Sequence, residues 1–276
     1  MGFASVRRVA ETGSTNSDVH ELLSRQPLEH LFVLVADSQV SGRGRGGNAW
    51  VTPPGSALTC SVVIEPDAAP QIPVTWIPLV AGLAVRKALA TWLDAQLKWP
   101  NDVVADAPSP DPEWGWGPKL AGILCERHSS GAIVAGIGVN CTQTMDELPV
   151  PWAGSIAAVT GSAPSPSELL DPLGAALSAY LASDADLLAE EYLAASAVIG
   201  EKVSVTLPDS RVVVGVVVGV DTDGALLLRP GGAPADFIAV GTAQWRSVEA
   251  MTSQSPPGVD RVTRILAGDA RRVRRT

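Results

Sequence analysis

Apolar side chains recur along much of this chain with the spacings of helices and strands. The most regular pattern runs from residue 76 to residue 93, where apolar positions follow helical spacing around Arg86 and Lys87. Such a stripe predicts a helix with one face against a protein core. Shorter apolar runs between turn residues predict strands. These runs cover residues 31–36, 57–64, 97–99, 103–105, 120–126 and 132–139.

Capping and turn residues place the other elements of this part of the chain. Residues 14–16 (Ser-Thr-Asn) are typical of a helix N-cap region. The strands on either side of the turn at 129–131 are expected to pair antiparallel, and residues 107–118, rich in proline and glycine, predict a solvent-exposed hairpin loop. Further helices are predicted over residues 18–25, from the 164–167 run to Tyr180, and over 184–196.

The pattern changes near residue 200. Between residues 202 and 248 there are five short strand candidates separated by turn signals, as in a small β-barrel. We therefore predict an α+β body over residues 1–199 and a β-domain over 200–250. Residues 251–276 carry six arginines and two aspartates among Ser, Pro and Gly, which predicts a disordered basic tail.

Composition narrows the class of protein. Of 276 residues 46% are hydrophobic and 18% charged, as in a core-forming chain, and the net charge of -9 argues against a general nucleic-acid binder. Cys60, Cys125 and Cys141 are widely spaced and form no metal or disulfide motif, which favours reduced thiols in the cytoplasm. With no secretory signal and no uncharged apolar run of 18 residues, no membrane partner is expected.

The most distinctive segment is Gly-Arg-Gly-Arg-Gly-Gly-Asn-Ala-Trp at residues 42–50. Its glycines allow close backbone approach to a ligand, and successive N–H groups in such a loop can bind an anion. Arg43 and Arg45 add permanent cations for phosphate or carboxylate, and Trp50 offers a flat face to a planar ring. The alternatives are a flexible surface loop or an RNA-binding Arg-Gly segment. Its position after a predicted strand in an acidic chain favours ligand binding.

Three further motifs follow in order: KWPND at residues 98–102, GPKLAGIL at 117–124 and GIGVN at 136–140. Taken singly, each also fits an ordinary turn or strand end. Lys119 opens an apolar strand, either as a solvated strand end or as a cation facing charge that develops in a transition state. Gly122, within the same strand, indicates a ligand or another backbone passing closely.

In this order the motifs of residues 10 to 160 resemble the biotin protein ligase family. Residues 200–248 resemble the small SH3-like C-terminal domain of that family. The resemblance implies an α+β fold, with a mixed or antiparallel sheet and helices as in class II aminoacyl-tRNA synthetases, followed by an SH3-like β-barrel. It also implies an ATP-dependent enzyme that forms biotinyl-5'-AMP and transfers biotin to a lysine of a biotin carboxyl carrier domain.

The resemblance assigns residues to three roles. Lys119, Arg43 and Arg45 are implied as the catalytic cations, and magnesium is expected with ATP, without a protein metal site. The implied biotin site comprises Ser14, Thr15, Asn16, Gln39, Gly42, Arg43, Arg45, Lys119, Gly122 and Gly136. The implied ATP and adenylate site comprises Arg45, Trp50, Lys98, Asn101, Lys119 and Asn140.

Some features depart from the family pattern or leave alternatives open. Asn48 and Gly46 stand where the family commonly has basic residues, and the 107–118 loop is longer than usual. A lipoate or octanoyl transferase shares the catalytic fold, and a binding module without catalysis would fit Asn48. The match begins within about ten residues of Met1. A monofunctional ligase without a DNA-binding domain is therefore expected.

Overall fold

The computed structural model describes residues 2–207, 209–230, 262–266 and 272–276. Its larger sheet has seven strands in the order β1-β2-β3-β7-β6-β5-β4. Neighbouring strands pair antiparallel, except that β1 and β2 are parallel. The strands are β1 (Ser5–Thr12), β2 (Phe32–Gln39), β3 (Ala57–Ile64), β4 (Ala95–Lys98), β5 (Asp102–Ala105), β6 (Lys119–Arg127) and β7 (Ile133–Asn140). This confirms the predicted mixed sheet and the antiparallel pairing of β6 with β7.

Helices cover both faces of this sheet. The helix predicted over residues 76–93 is shorter than expected, ending at Leu89, and it packs with α4 on one face. On the other face α1 packs against β2, β3 and β7. Alternate residues of β3 point to opposite faces. The helices are α1 (Thr15–Arg25), α2 (Ile77–Leu89), α3 (Ile156–Thr160), α4 (Pro166–Leu181) and α5 (Ala185–Ala195).

Strand β1 and helix α3 were not predicted. None of the eight residues of β1 is buried, so this edge strand lacks the apolar alternation by which strands are recognised. Helix α3 has only five residues, too few for a periodic pattern. Among the described residues, no helix has the length and apolar character needed to cross a membrane.

A second sheet of five antiparallel strands follows, in the order β11-β10-β9-β8-β12. Three of its strands match predicted candidates, whereas the candidates beyond residue 230 lie outside the described residues. The tail prediction is wrong for β11 and β12, where Ile265 and Val273 are buried. Interspersed arginines hid these short apolar positions. The strands are β8 (Lys202–Thr206), β9 (Val212–Val220), β10 (Leu226–Arg229), β11 (Thr263–Ile265) and β12 (Arg272–Arg275).

The two sheets share one hydrophobic core. Indole N–H groups of the first part donate to carbonyls of the second: Trp76 to Thr222 at 3.0 Å, and Trp99 to Gly224 at 3.0 Å. The predicted boundary near residue 199 falls between α5 and β8, and its status as a domain boundary remains a prediction.

The loop predicted at residues 107–118 joins the antiparallel strands β5 and β6, as expected of a hairpin, but only part of it is solvent-exposed. Trp114 and Trp116 are only 5% and 4% exposed, and the Trp114 indole N–H donates to the Gly117 carbonyl at 2.9 Å. Proline and glycine correctly indicated a loop, but they did not indicate where its two tryptophans are buried. The loop folds back on the body of the protein and leads directly into Lys119.

Candidate active site

The predicted site residues meet in a cleft on the face of the large sheet that carries α1. The sheet forms its floor, and the 42–50 loop lies along one side. Eleven predicted residues line it: Ser14, Thr15, Asn16, Gln39, Arg43, Arg45, Trp50, Asn101, Lys119, Gly122 and Gly136. The sequence motifs, far apart along the chain, therefore form a single site.

One end of the cleft, the neutral end, is built by Thr15, Asn16, Gln39 and Ser61. The Thr15 backbone N–H donates to Gln39 Oε1 at 2.8 Å. The fully buried Ser61 Oγ lies 2.6 Å from Asn16 Oδ1 and 2.7 Å from Thr15 Oγ1. These uncharged groups fix one another before any ligand binds. Ser61 was missed, although a serine inside the apolar β3 sequence was a signal of a buried polar contact.

Gly136 lies beside Asn16. A Cβ at Gly136 would lie 2.4 Å from Asn16 Oδ1, so glycine is required for the asparagine to reach the sheet. Gly136 also lines the cleft, and its predicted close backbone contact with biotin stays a prediction. Here it makes room for Asn16, whose Nδ2 donates to the Leu124 carbonyl at 3.1 Å.

Glu126 joins the neutral end to the glycine-arginine loop. Its Oε2 accepts a hydrogen bond from Asn16 Nδ2 at 2.7 Å and pairs with Arg43 Nη2 at 3.0 Å. His20 Nε2 lies 3.9 Å from the same oxygen, and burial lowers the pKa of this histidine despite the carboxylate. The sequence interpretation missed Glu126, because a single glutamate near a strand end carries no local signal.

The 42–50 loop forms a small hairpin. The Gly44 N–H donates to the Asn48 carbonyl at 2.7 Å. Gly46 and Gly47 have φ of 69° and 82°, a conformation that favours glycine. The Asn48 Nδ2 donates to the Arg45 carbonyl at 2.8 Å, closing the turn. Asn48 therefore stabilises the loop backbone.

Trp50 lies on the floor of the cleft above two strand glycines. Gly122 and Gly138 face each other across β6 and β7, and Cβ atoms there would lie 3.2 Å and 2.5 Å from the indole. Gly122 therefore accommodates Trp50 as well as any ligand, and Gly138 of the GIGVN motif, for which no site role was predicted, accommodates the same ring. Gly42, which was predicted to bind biotin, is not part of the cleft lining. A Cβ at this position would collide with the Trp50 carbonyl oxygen and with Gln39 Nε2.

The opposite end of the cleft, the charged end, centres on Asp102. Lys119 Nζ lies 2.6 Å from Asp102 Oδ1, and Lys98 Nζ lies 3.4 Å from Oδ2. Lys119 is 23% exposed and lines the cleft, whereas Lys98 is 4% exposed behind it. Arg45 is partly buried at the same end. The arrangement presents an ammonium and a guanidinium to the cleft, with one carboxylate beneath them.

Burial and charge act in opposite directions on these groups. Burial lowers the pKa of Lys98 to about 8, although Asp102 opposes this shift. Burial alone would raise the pKa of Asp102, but the ammonium groups of Lys119 and Lys98 hold it below its usual value. Burial also lowers the pKa of Arg45, against the attraction of Asp102. Asp102 is therefore ionised at neutral pH.

Two residues predicted for the nucleotide are not on the cleft lining of the described structure. Lys98 is directed at Asp102, as given above. Asn140 is buried, its Nδ2 donating to the Gly154 carbonyl at 2.8 Å and its Oδ1 accepting from Gln143 Nε2 at 3.1 Å. Both polar ends of Asn140 thus serve the protein itself. Asn101 does line the cleft and donates to the Ile123 carbonyl at 2.9 Å.

The described residues contain no group of three or more His, Cys, Asp or Glu side chains that could hold a metal. Beside the cleft, Asp102 and Glu126 are paired with cations.

Comparison with known protein families and solved structures shows which proteins this chain is similar to. Residues 9–143 match the biotin/lipoate A/B protein ligase family, and residues 198–237 match the biotin protein ligase C-terminal domain. A solved structure, the biotin protein ligase from Aquifex aeolicus in complex with biotin and ATP, superposes with a TM-score of 0.72 at 25% identity, over 99% of this chain and 100% of that one.

Two relatives are similar over most of their length, and both are named biotin–[acetyl-CoA-carboxylase] ligase. The Mycobacterium tuberculosis protein is 35% identical over 240 residues, 84% of this chain and 85% of the relative. The Paracoccus denitrificans protein is 33% identical over 241 residues, 81% of this chain and 94% of the relative. With both matched domains in the expected order, the chain belongs to the biotin protein ligases of the biotin/lipoate A/B protein ligase family.

Proposed function

We propose that the two ends of the cleft divide the work of an ATP-dependent biotin–protein ligase. The neutral end binds the ring system of biotin, and the charged end binds the biotin carboxylate and the phosphates of ATP. The observation that carries this division is the position of the Lys119 ammonium, 2.6 Å from Asp102 and partly exposed in the cleft. The hydrogen-bonded amide and hydroxyl groups of the neutral end match the ureido group of biotin.

The chain forms a carbon–nitrogen bond in two steps. First, a carboxylate oxygen of biotin attacks the α-phosphorus of ATP, and pyrophosphate leaves, giving biotinyl-5'-AMP. Then the neutral ε-amine of an acceptor lysine attacks the carbonyl carbon of this mixed anhydride. AMP leaves with the electron pair of the broken C–O bond, and the amine loses a proton as the amide forms.

Lys119, Arg43 and Arg45 make the first step possible through charge. The reaction brings two anions together, and cations placed where charge develops lower the barrier without themselves reacting. No side chain of the enzyme acts as a nucleophile, because biotin and the acceptor lysine supply both. Magnesium bound to ATP adds further charge neutralisation on the phosphates.

Trp50 and Asn101 belong to the nucleotide side of this proposal. Trp50 lies over the glycine pair of β6 and β7 and also lines the cleft, so its ring can offer a stacking surface to adenine. Asn101 also lines the cleft. The glycines of the 42–50 loop allow the loop to close over the anhydride and shield it from water.

The proposal extends to the acceptor, the second sheet and the compartment. The acceptor is a lysine of the biotin carboxyl carrier domain of a biotin-dependent carboxylase, as the names of the relatives suggest. The five-stranded antiparallel sheet supports an SH3-like barrel. The free cysteines Cys60, Cys125 and Cys141 support a reducing compartment, the cytoplasm.

Intact-mass spectrometry tests this function. A biotin carboxyl carrier domain is incubated with the protein, biotin, ATP and magnesium. We expect one added biotin per carrier domain, none when ATP is left out, and none when the acceptor lysine is replaced by arginine. Lipoate in place of biotin serves as the control for the related transferase activity. An unmodified carrier, with biotin binding still measurable by calorimetry, would contradict the proposal.

A further inference from the structure

The tryptophan loop, residues 107–118, packs behind the charged end of the cleft. The Trp114 ring is 5% exposed, and Lys98 Nζ lies 4.3 Å from its centroid. On the same side Trp114 stacks on Trp152, with ring centroids 6.0 Å apart and planes 16° apart. Neither tryptophan lines the cleft, so neither is placed to touch a ligand there.

Trp114 reaches the side chain of Lys119 through two other residues. A cation over an aromatic face gains more when water is excluded, and the Lys98 ammonium is almost completely buried. From there Lys98 pairs with Asp102, and Asp102 pairs with Lys119. Without the ring, water could reach the Lys98 ammonium and compete for it. The Asp102 carboxylate would then keep only its ion pair with Lys119, which is the residue that Asp102 positions.

Trp114 also reaches the backbone of Lys119. The Lys119 N–H donates to the carbonyl of Trp152 at 2.8 Å, and the Lys119 carbonyl accepts from the Gly154 N–H at 2.9 Å. These two hydrogen bonds fix the backbone of Lys119, the first residue of β6. Trp152, which accepts one of them, is the residue on which Trp114 stacks. The Lys119 backbone is therefore bonded to a residue that stacks on the Trp114 ring, and the Lys119 ammonium is linked to the same ring through Asp102 and Lys98.

The C-terminal strand closes the other side of the tryptophan loop. The Arg274 guanidinium lies 5.3 Å from the Trp114 centroid and 5.6 Å from that of Trp152. Gly115 has φ of 74°, and a Cβ there would lie 2.9 Å from Arg275 Cβ, so loop and strand are in close contact. The loop thus packs between the charged end of the cleft and β12.

We propose that Trp114 is a positioning residue for adenylate formation, which acts on Lys119 through Lys98, Asp102 and Trp152. The inference rests on the proposed function, because it assigns the tryptophan loop to the first of the two steps. Trp114 itself touches neither biotin nor ATP. Its effect therefore falls on the rate of adenylation and leaves biotin binding at the neutral end unchanged.

The test compares Trp114→Ala, Trp114→Phe and the control Trp92→Ala, which removes an exposed tryptophan elsewhere. Calorimetry gives the number of biotin-binding sites and the Kd for biotin. The rate of biotinyl-5'-AMP formation per site, measured at varied ATP, gives kcat and the KM for ATP. For Trp114→Ala we expect kcat to fall about tenfold, with the Kd for biotin within about twofold of wild type. Trp114→Phe, which keeps an aromatic face, should recover most of the rate. Trp92→Ala should match wild type.

Other results would overturn the inference. Wild-type kcat per biotin site in Trp114→Ala, or an equal loss in Trp92→Ala, would remove the specific role of the ring. A loss that Trp114→Phe does not recover would also contradict it. If Trp114→Ala binds no biotin, the same measurements are made on Lys98→Met instead. An adenylation rate equal to that of wild type would then reject the inference, and a loss of about tenfold would support it. Failure of the wild-type protein to make adenylate would instead reject the proposed function.

Discussion

The neutral end of the cleft is held together mainly by hydrogen bonds between polar side chains, whereas the charged end is held together by ion pairs. At the neutral end, Asn16 and Ser61 are buried and hydrogen-bonded to each other, and the Asn16 amide also donates to the Glu126 carboxylate. At the charged end, one carboxylate, Asp102, faces two lysines, with Arg45 nearby. Satisfied neutral groups are stable without ligand. An excess of buried positive charge is stabilised further when an anion enters, so the first end is suited to recognition and the second to catalysis.

The two ends also differ in the free-energy cost of removing one side chain. Removing one neutral partner leaves a buried polar group unsatisfied and costs about 1–3 kcal/mol. Removing one ion of a buried network leaves a charge uncompensated, which is more costly. Substitutions at the two ends should therefore affect different steps of the reaction, and the predictions below use that difference, from the largest expected effect to the smallest.

Lys119→Ala should have the largest effect. We expect adenylate formation to fall roughly 10²–10³-fold, because the cation nearest the reacting charges is lost. The Kd for biotin should stay within about threefold of wild type, because the neutral end is unchanged. Rapid-quench measurement of biotinyl-5'-AMP and calorimetry give the two values. Lys87→Ala, at an exposed lysine of α2, is the matched control. Near-wild-type adenylation in Lys119→Ala would reject the assigned role.

Asn16→Ala should have the opposite signature. It removes the amide between Ser61, Leu124 and Glu126, so the affinity for biotin should fall about tenfold or more, in line with the loss of buried hydrogen bonds. At saturating biotin, kcat should stay close to wild type. Titration calorimetry and steady-state kinetics with varied biotin measure this split. Unchanged biotin affinity would show that the neutral end does not bind biotin.

Glu126→Gln should weaken the contact between the neutral end and the loop. Glutamine can still accept from Asn16 but loses the charge that holds Arg43, a half-exposed pair of about 0.2–1 kcal/mol. We expect free biotinyl-5'-AMP to escape up to about fivefold faster, because the loop closes less tightly. Mass spectrometry of the small-molecule fraction without acceptor measures the escape. Equal escape from both proteins would mean that this ion pair does not hold the loop over the adenylate.

Asn48→Ala should have the smallest effect. It removes the hydrogen bond to the Arg45 carbonyl in an exposed turn, so the KM for ATP should rise only about two- to threefold. The affinity for biotin should be unchanged. Kinetics with varied ATP measure the effect, and an unaltered KM would show that Asn48 does not help to place Arg45.

The sequence was a good guide wherever a local pattern carries the structure. The apolar run of β3 and the helical stripe of α2 were predicted because burial is periodic along a single element. The residues of the cleft were predicted from the family that the ordered motifs resemble. Gly122 was correctly identified as a place of close approach, although the group that approaches it is Trp50 of the same chain.

The rest depends on pairings that no single segment reveals. Glu126 and Asn16 meet only because α1 packs on the sheet face formed by β6 and β7. Gly138 accommodates Trp50 only because the strand register places it opposite Gly122. Trp114 lies in a segment with the composition of an exposed loop, yet tertiary packing buries it. These contacts follow from strand order and register, which are set by the whole chain.

The most direct test of the account is one turnover of biotinyl-5'-AMP formation with no acceptor protein present. Wild-type protein is mixed with biotin and magnesium ATP, quenched and analysed by liquid chromatography and mass spectrometry. We expect about one equivalent of biotinyl-5'-AMP per biotin-binding site, with matching pyrophosphate, and almost none from Lys119→Ala. Saturated biotin binding without any adenylate in the wild-type protein would contradict the division of the cleft into a recognition end and a catalytic end.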